Sequence, residues 1–266
     1  MTGQTELSNA EPLTRIVAWN VCGGGGKRVS RISNAIASLA PSIVVLSEIT
    51  AKRVAEWRKA LTTTEKLEYQ CDAIESVTTN DPYTVLIASR NPFIPLPWTL
   101  PPPFPNRAVR VEIDGLAITG IHAPDQKVAG REFYNWLVAA SASRLNTDAI
   151  LLGDFNADES GDAMPLNRYF LPLIHSGWVN SSRHLRPDGD HTSWWSKSRG
   201  LAIDHCLMSP QLAPYLAKAE VLDSIAGLPT AGPQTRIAKG ALSDHRPLLV
   251  DLLLRSAPLP TPQPSR

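Results

Sequence analysis

Residues 149–156 read AILLGDFN, an apolar run that passes directly into a polar turn. Four consecutive apolar residues, 149–152, are typical of a short strand that is covered on both faces. Gly153, Asp154 and Asn156 are residue types that favour turns, so an ordinary turn explains them equally well. In open α/β sheets, however, ligands bind just beyond the strand ends. The stretch therefore predicts an α/β fold and marks Asp154 and Asn156 as candidate functional residues.

The same succession of strand and polar residue recurs along the chain. Compact apolar runs predict strands at residues 15–20, 43–46, 84–88, 109–113, 116–121, 201–203 and 248–254. Apolar residues at helical spacing predict helices near residues 29–39, 54–61 and 133–140. Strands mixed with helices over one continuous core predict a layered α/β fold.

One domain, residues 13–255, is the simplest division of the chain. Residues 1–12 are polar, and residues 256–266 read SAPLPTPQPSR with little to bury, so we expect both ends to be disordered tails. Inside the domain, residues 91–106 (NPFIPLPWTLPPPFPN) predict a rigid surface loop. A ligand for a proline-binding module is the less favoured alternative for this segment.

Composition restricts the kind of partner. With 26 Lys+Arg against 25 Asp+Glu, the net charge is only +1, which argues against a protein that coats nucleic acid through bulk charge. Any phosphate partner must then be held locally, through a metal ion. Three cysteines without a C-x-x-C pair argue against a disulfide framework and a zinc knuckle. Without a signal-peptide pattern or a long apolar run, we expect a cytoplasmic protein, no membrane contact and no obligate protein partner.

Polar residues follow the predicted strands at or just beyond their ends. Each of them alone has an ordinary structural explanation, such as a solvated loop carboxylate or a satisfied core histidine. Asp204 is the most unusual, because it lies within the apolar stretch LAIDHCLM, where an unpaired carboxylate is costly. The full set is Asn20, Glu48, His122, Asp154, Asn156, Asp204, Asp244 and His245.

This ordered set resembles the endonuclease/exonuclease/phosphatase superfamily over essentially all of residues 13–255. The motifs that carry the resemblance are, in chain order, WN (19–20), SE (47–48), HAP (122–124), GDFN (153–156), TSWW (192–195), ID (203–204) and SDH (243–245). The superfamily includes deoxyribonucleases, apurinic/apyrimidinic endonucleases and several lipid and inositol phosphate hydrolases. The resemblance implies a four-layer α/β/β/α sandwich, with two mixed β-sheets packed face to face and helices outside.

The resemblance also implies roles for these residues. His245 is the general base, suited to it by a pKa near neutrality, and Asp204 holds its ring. Asp154 orients the attacking water, Asn156 donates to a phosphate oxygen, and His122 is a proton donor or stabilises the transition state. Glu48 is the principal ligand of Mg²⁺, a hard cation that prefers oxygen, and Mn²⁺ is an expected substitute. Asn20 and Asp244 complete the expected metal site.

Two departures from the family pattern affect the expected site. Cys22 stands where repair-type members have the aspartate of W-N-x-D, which leaves the number of metal ions open. Ala202 stands where the family has the arginine of Arg-Ile-Asp. Conversely, residues 192–196 (TSWWS) look like the repair nucleases, so the subgroup signals are mixed.

The sequence therefore predicts an Mg²⁺-dependent phosphodiesterase, with DNA as the favoured substrate. Arg107, Arg110 and Trp194 are the predicted substrate contacts, the arginines to phosphates and the tryptophan to a sugar or base. A phosphatase or phospholipase acting on inositol phosphates or lipid head groups is the first alternative. A catalytically inactive binding or scaffold domain of the same fold is the second.

Overall fold

The computed structural model describes residues 13–159, 164–197, 199–232 and 240–254. Its strands are β1 Leu13–Asn20, β2 Ile43–Thr50, β3 Tyr69–Asp72, β4 Tyr83–Ser89, β5 Ile94–Pro95, β6 Ala108–Ile113, β7 Leu116–His122, β8 Ala149–Asp154, β9 Val179–Asn180, β10 Trp194–Ser196, β11 Arg199–Leu201, β12 Asp204–Met208, β13 Leu216–Val221, β14 Ser224–Ile225, β15 Leu228–Pro229 and β16 Leu248–Leu253. Its α-helices are α1 Val29–Ser38, α2 Val54–Glu65, α3 Lys127–Ser141, α4 Asn167–His175 and α5 Ser181–Leu185. Short 3-10 turns lie at Gly23–Arg28, Ile74–Ser76, Pro105–Arg107, Ala142–Arg144 and Pro210–Tyr215.

Two mixed six-stranded sheets form the centre of the protein. The first has the strand order β13-β16-β1-β2-β4-β3, and the second has the order β5-β6-β7-β8-β12-β9. Each sheet contains a parallel pair, β1 with β2 and β7 with β8, whose strands are joined through α1 and α3. Parallel neighbours need such a crossover connection, because a hairpin can join only antiparallel strands. The parallel pairs bring two consecutive strand ends to the same edge of each sheet.

The inner faces of the two sheets pack directly against each other. Ile16 and Val45 of the first sheet share one buried cluster with Ile118 and Leu152 of the second. At Gly120 the sheets approach so closely that a Cβ atom would lie 2.7 Å from Val85. A larger residue there would push the sheets apart or force a backbone shift.

Helices cover both outer faces. Ile32 of α1 and Trp57 of α2 are fully buried against the first sheet. Phe133 of α3 and Phe170 of α4 are fully buried against the second. The order helix, sheet, sheet, helix confirms the predicted four-layer α/β/β/α sandwich.

Two predicted strand boundaries need correction. The second strand was expected to stop before Ser47, but β2 continues to Thr50 through a register shift between Leu46 and Ile49. Glu48 lies at this bulge with a φ of 59°, so it projects from inside a strand rather than following one. The predicted strand at 201–203 is also wrong: β11 ends at Leu201, and β12 begins at Asp204.

Other sequence expectations have mixed outcomes. The predicted tails, residues 1–12 and 256–266, lie outside the described residues, and the single domain at 13–255 stays a prediction. Within the proline-rich segment 91–106, Ile94 and Pro95 form the edge strand β5, and the Trp98 ring lies 4.9 Å from that of Trp136. Among the described residues, none of the helices combines the length and the apolar character needed to cross a membrane.

Glu65, in the last turn of α2, is a buried carboxylate. It is 3% exposed, and neither carboxylate oxygen has a hydrogen-bond partner among the described residues. Burial raises its pKa from 4.5 to about 7, and the positive charge of Arg90 offsets only part of this. The native state therefore binds the proton more tightly than the unfolded state, so Glu65 makes stability fall as pH rises from about 4.5 to about 7.

We predict that Glu65→Gln stabilises the protein at pH values above this window, by on the order of 2 kcal/mol, because the amide carries no charge to desolvate. Urea denaturation of wild type and variant below and above the window measures the difference. The exposed Glu68→Gln serves as the matched control and should leave the pH dependence unchanged. A variant less stable than wild type at high pH would contradict the assignment.

Candidate active site

Six of the eight polar residues predicted from the strand ends line one cleft of about 240 Å³, and the other two, Asn20 and Asp204, hydrogen-bond to residues that line it. In the second sheet, His122 at the end of β7 is paired in register with Asp154 at the end of β8. Asp204 at the start of the antiparallel β12 is also paired with Asp154. The cleft is lined by Glu48, Tyr83, Arg107, His122, Asp125, Asp154, Asn156, Trp194, Ile203, Asp244 and His245.

The GDFN turn positions Asp154 and Asn156. Gly153 has a φ of 134°, and a Cβ atom there would lie 2.1 Å from the Ile121 carbonyl oxygen, so only glycine fits. Asp154 Oδ1 accepts the Asn156 backbone N–H at 2.9 Å. Asn156 Nδ2 donates to the Ala123 carbonyl at 2.8 Å, which uses one of its two amide hydrogens.

Asn20 connects two carboxylates across the two sheets. Its Nδ2 donates to Glu48 Oε1 at 3.0 Å and to Asp154 Oδ2 at 2.8 Å. Its Oδ1 accepts the Cys22 backbone N–H at 2.9 Å. The role of Asn20 as a metal ligand stays a prediction, since its Oδ1 accepts a single N–H and an amide oxygen has two lone pairs. In this structure its Nδ2 positions Glu48 and Asp154.

Glu48 is at the centre of a group with metal-ligand geometry. Glu48, His122 and Asp154 each place a ligand atom within 4.8 Å of the others. His122 Nε2 lies 3.9 Å from both Glu48 Oε1 and Asp154 Oδ2. Burial, together with the charge of Asp204, raises the pKa of Asp154 to about 7. Asp244 lines the same cleft but stands outside this group of three.

This donor set fits a hard divalent cation. Carboxylate oxygens from Glu48 and Asp154 face a shared space, and Asp244 and Asp125 add negative charge around it. Arg107 is the only Lys or Arg among the described residues that line the cleft. A cation bound there would compensate charge that the protein itself leaves uncompensated.

Asp204 and His245 form a buried pair. His245 Nδ1 lies 2.8 Å from Asp204 Oδ2, and both residues are about 5% exposed. Burial lowers the pKa of His245, but the charges of Asp204, Asp154 and Asp244 outweigh it and raise the pKa to about 10.

The backbones on either side of this pair are also fixed. The buried hydroxyl of Ser193 accepts the N–H groups of Ile203 and Asp204 at 3.1 and 3.0 Å. Trp19 Nε1 donates to the His245 carbonyl at 2.8 Å. Because all of these donors and acceptors are buried, water cannot replace them, and the pair is held in one geometry.

Arg107 contacts the ring of His122. Its Nη1 lies 2.7 Å from His122 Nδ1, and its Nε donates to Asp81 Oδ2 at 3.0 Å. Nη1 also lies 3.2 Å from His122 Nε2, but since a guanidinium can only donate, the shorter contact favours Nδ1 as the acceptor and the proton of the neutral imidazole on Nε2. Burial, Arg107 and His245 together hold the pKa of His122 well below its usual range. His122 is therefore a neutral donor toward the Glu48 and Asp154 side of the cleft.

The sequence reasoning missed Tyr83 and Asp125 as lining residues. The Tyr83 ring centroid lies 5.9 Å from that of His122, and burial raises the pKa of Tyr83. Tyr83 begins β4, which is antiparallel to β2, so the start of β4 lies beside the end of β2. A search that considered residues before strands as well as after them could have found Tyr83.

The predicted substrate contacts are separated by the fold. Trp194 lines the cleft, and its ring centroid lies 6.2 Å from that of His245. Arg107 also lines it, but Arg110 does not. Arg110 is buried on the outer face of the second sheet, over the ring of Trp98. Strand residues alternate between faces, and Val109 and Val111 fill the inner face, so Arg110 points to the helix layer.

Solved structures with the same fold cover most of the chain. The AP endonuclease from Archaeoglobus fulgidus superposes with a TM-score of 0.71 at 14% identity, over 89% of this chain and 98% of the other. The 3'-5' exonuclease NExo from Neisseria meningitidis gives 0.69 at 20% identity, over 90% and 99%. The same values hold for the Neisseria 3' phosphatase NExo (D146N) bound to a product DNA hairpin.

No curated protein sequence matches this chain significantly. The family profile, in contrast, covers most of it: the Endonuclease/Exonuclease/phosphatase family matches residues 17–245, a range that includes every predicted catalytic and metal-binding residue. The chain therefore belongs to the Endonuclease/Exonuclease/phosphatase family, whose members are metal-dependent phosphoric ester hydrolases.

Proposed function

We propose that this enzyme is an Mg²⁺-dependent phosphodiesterase that hydrolyses DNA. The observation that carries the proposal is the 2.8 Å pair of His245 and Asp204 in the same cleft as the carboxylate group around Glu48. A base and a cation site side by side are what hydrolysis of a phosphate ester requires, because the nucleophile must lose a proton while it approaches an anion.

Glu48 and Asp244 are the proposed Mg²⁺ ligands, with Mn²⁺ as a substitute, and Asn20 holds Glu48 in place. When bound, the cation supplies positive charge beside the phosphate and stabilises charge on the departing oxygen. Gly23 N–H donates to Glu48 Oε2 at 2.7 Å, which fixes the second oxygen of the same carboxylate. The hydrogen bonds on both oxygens orient the carboxylate before any ligand arrives.

His245 is the proposed general base. Because Nδ1 is engaged by Asp204, Nε2 is the nitrogen that takes the proton from the attacking water. Asp204 then stabilises the imidazolium that forms, which is the role a buried carboxylate partner plays beside a catalytic histidine. Asp154 orients the attacking water. The pKa of about 10 for His245 belongs to the site without a cation; positive charge bound beside Asp154 and Asp244 would oppose their effect on His245 and lower its pKa toward the range in which a base works at neutral pH.

His122 and Asn156 are the proposed donors to the phosphate. A neutral His122 with its proton on Nε2 stabilises a developing charge and does not release a proton at neutral pH. Of the two roles expected for His122, this favours stabilisation of the transition state. The second amide hydrogen of Asn156 is available for a phosphate oxygen.

DNA is the favoured substrate class. Trp194 presents an aromatic surface at the cleft, where a sugar or base can pack, and Arg107 provides a cation. The Neisseria and Archaeoglobus proteins of the same fold are described as DNA-acting enzymes or as bound to DNA, which supports the proposal. The predicted cytoplasmic location is part of the proposal and needs its own experiment.

We predict that the enzyme cleaves DNA in Mg²⁺ or Mn²⁺, and that His245→Ala lowers the rate by roughly a hundredfold or more through loss of the base. The panel contains plasmid, abasic duplex, single strands, RNA and inositol phosphates. His175→Ala, which removes an exposed histidine, is the matched control.

Phosphate release from inositol phosphates alone would move the function to the phosphatase alternative. Inertness of the wild type toward the whole panel would favour the scaffold alternative. A loss below about threefold for His245→Ala would show that the base is misassigned.

A second prediction separates metal binding from catalysis. Mg²⁺ or Mn²⁺ at saturation should raise the Tm of the wild type by about 2–4 °C, because a ligand of the native state stabilises it. Glu48→Gln should lose most of this shift, and Glu75→Gln, an exposed control, should keep it. An equal metal-induced shift in Glu48→Gln would exclude Glu48 as the principal ligand.

A third prediction uses two arginines three residues apart. Arg107→Met should lower kcat/KM by roughly tenfold or more, because it removes a charge-assisted hydrogen bond to His122 and a cation of the cleft. Arg110→Met, assayed at a temperature where it is folded, should stay within about twofold of wild type. Equal losses in the two variants would mean that the effect of Arg107 is structural.

A further inference from the structure

Arg246 follows the proposed base in the chain, and its side chain contacts the segment 190–195. Its Nη1 donates to the Thr192 carbonyl at 3.1 Å. Its guanidinium carbon lies 4.5 Å from the centroid of the Trp195 ring, a distance at which the face of an aromatic ring attracts a cation. The Arg246 side chain is only 16% exposed, so water competes little for these contacts. The guanidinium therefore ties the segment to the strand end that carries the base.

Two carboxylates complete the surroundings of this guanidinium. Nη2 of Arg246 lies 2.9 Å from Asp223 Oδ1, and Nη1 lies 3.5 Å from Asp190 Oδ2. Both aspartate side chains are at least 70% exposed, and ion pairs in contact with water contribute little. The buried contacts with Thr192 and Trp195 therefore contribute more to holding the segment than the two ion pairs do.

The tryptophans of this segment belong to a separate two-stranded hairpin. β10 and β11 pair with each other, and among the described residues neither pairs with a strand of the two six-stranded sheets. Just before β10, the Arg246 backbone N–H donates to the Ser193 carbonyl at 2.8 Å, a bond that any residue except proline at position 246 would keep. The Arg246 side chain reaches further, to the ring of Trp195 inside the hairpin.

Trp194 and Trp195 point to opposite faces of β10, because successive side chains of a strand alternate. Trp195 is 8% exposed and lies under the guanidinium of Arg246. Trp194 lines the cleft, with its ring centroid 6.2 Å from that of His245. Since the two tryptophans share one short piece of backbone, a displacement of Trp195 would also displace Trp194.

We propose that Arg246 is a positioning residue for substrate binding, which holds Trp195 and thereby keeps Trp194 in place at the wall of the cleft. The proposal rests on the proposed function, in which Trp194 packs against a sugar or base. It assigns to Arg246 no contact with the substrate and no part in proton transfer.

The effect of Arg246 falls on substrate binding rather than on the chemical step. His245 is held by Asp204 at its ring and by Trp19 at its carbonyl, and neither bond involves the Arg246 side chain. Stacking of a base on an aromatic ring, in contrast, depends on where the ring lies. A loss of binding that is equal in the ground state and the transition state raises KM and leaves kcat unchanged.

The first test is steady-state DNA cleavage in Mg²⁺ by Arg246→Met, which keeps an apolar stem over Trp195 but removes the charge. KM should rise roughly fivefold or more, while kcat stays within about threefold of wild type. Arg168→Met is the matched control, because Arg168 is exposed on α4, 4.9 Å from the Tyr169 ring centroid, and is not among the residues that line the cleft. It should leave both constants unchanged. A fall in kcat at unchanged KM would overturn the proposal.

A double-mutant cycle tests whether Arg246 acts through Trp194. In a Trp194→Ala background, Arg246→Met should change KM by less than about twofold, because the ring that it positions is already gone. Increases in KM that multiply in the double variant would show that Arg246 acts by another route, and the proposal would be wrong.

Fluorine NMR of protein labelled with fluorotryptophan gives a measurement without DNA. The chain has seven tryptophans, and Trp194→Phe identifies the Trp194 resonance by its loss. Arg246→Met should shift this resonance, and Arg168→Met should not. An unshifted Trp194 resonance would exclude the positioning role even in an enzyme that cleaves DNA. A shifted resonance in a wild type that cleaves no DNA would support the positioning role while the proposed function fails.

Arg246→Lys replaces Arg246→Met in all three experiments if the methionine variant does not fold. Lysine keeps the charge but lacks the planar fork that can lie over the Trp195 ring and donate to the Thr192 carbonyl at the same time. It should raise KM in the same direction by a smaller factor. Wild-type KM together with a wild-type Trp194 resonance in this variant would also count against the proposal.

Discussion

Negative charge gathered at one edge of two sheets is the constraint on which this enzyme depends. Glu48, Asp125, Asp154 and Asp244 line one cleft, and Arg107 is the only Lys or Arg beside them in the described part of the chain. Burial, and the charge of Asp204 behind the cleft, raise the pKa of Asp154, which shows what it costs to keep a carboxylate charged there. The fold keeps these carboxylates together because packing on both sides of each sheet outweighs the electrostatic cost, and the proposed cation would offset that cost.

The hydrogen bonds around these carboxylates turn a collection of charges into a site. Asn20 donates from its amide nitrogen and accepts at its amide oxygen, and Arg107 contacts the ring of His122. Ser193 holds the backbone of Asp204 through its hydroxyl group. Side chains that hydrogen bonds already hold in position lose little conformational freedom when substrate binds. This is how preorganisation contributes to catalysis.

Much of the fold and of the site followed from apolar runs and the polar residues beside them. The stretch AILLGDFN predicted β8 and the turn after it, because four apolar residues in succession are typical of a strand that is covered on both faces. The family resemblance added the layer order, which hydrophobic pattern alone leaves open.

Glu48 was expected after a strand and instead lies at a bulge, since a bulge depends on pairing with β4 and has no local signal. Tyr83 was missed because its place beside Thr50 exists only once β2 and β4 pair. Arg110 was misplaced because basic residues look alike in sequence, whichever face of a strand they occupy.

Three of the polar contacts of the site join one sheet to the other. Asn20 belongs to β1 and Asp154 to β8, His245 precedes β16 while Asp204 begins β12, and Glu48 and His122 come from β2 and β7. Hydrogen bonds weaken steeply when donor and acceptor separate by a few tenths of an ångström. Sliding of one sheet against the other would therefore break both the contact of the proposed base, His245, with Asp204 and the proposed cation site at Glu48. Each sheet could keep its own secondary structure while this happened. Neither sheet with its helices carries a complete site, so the proposed activity depends on the interface between the two sheets.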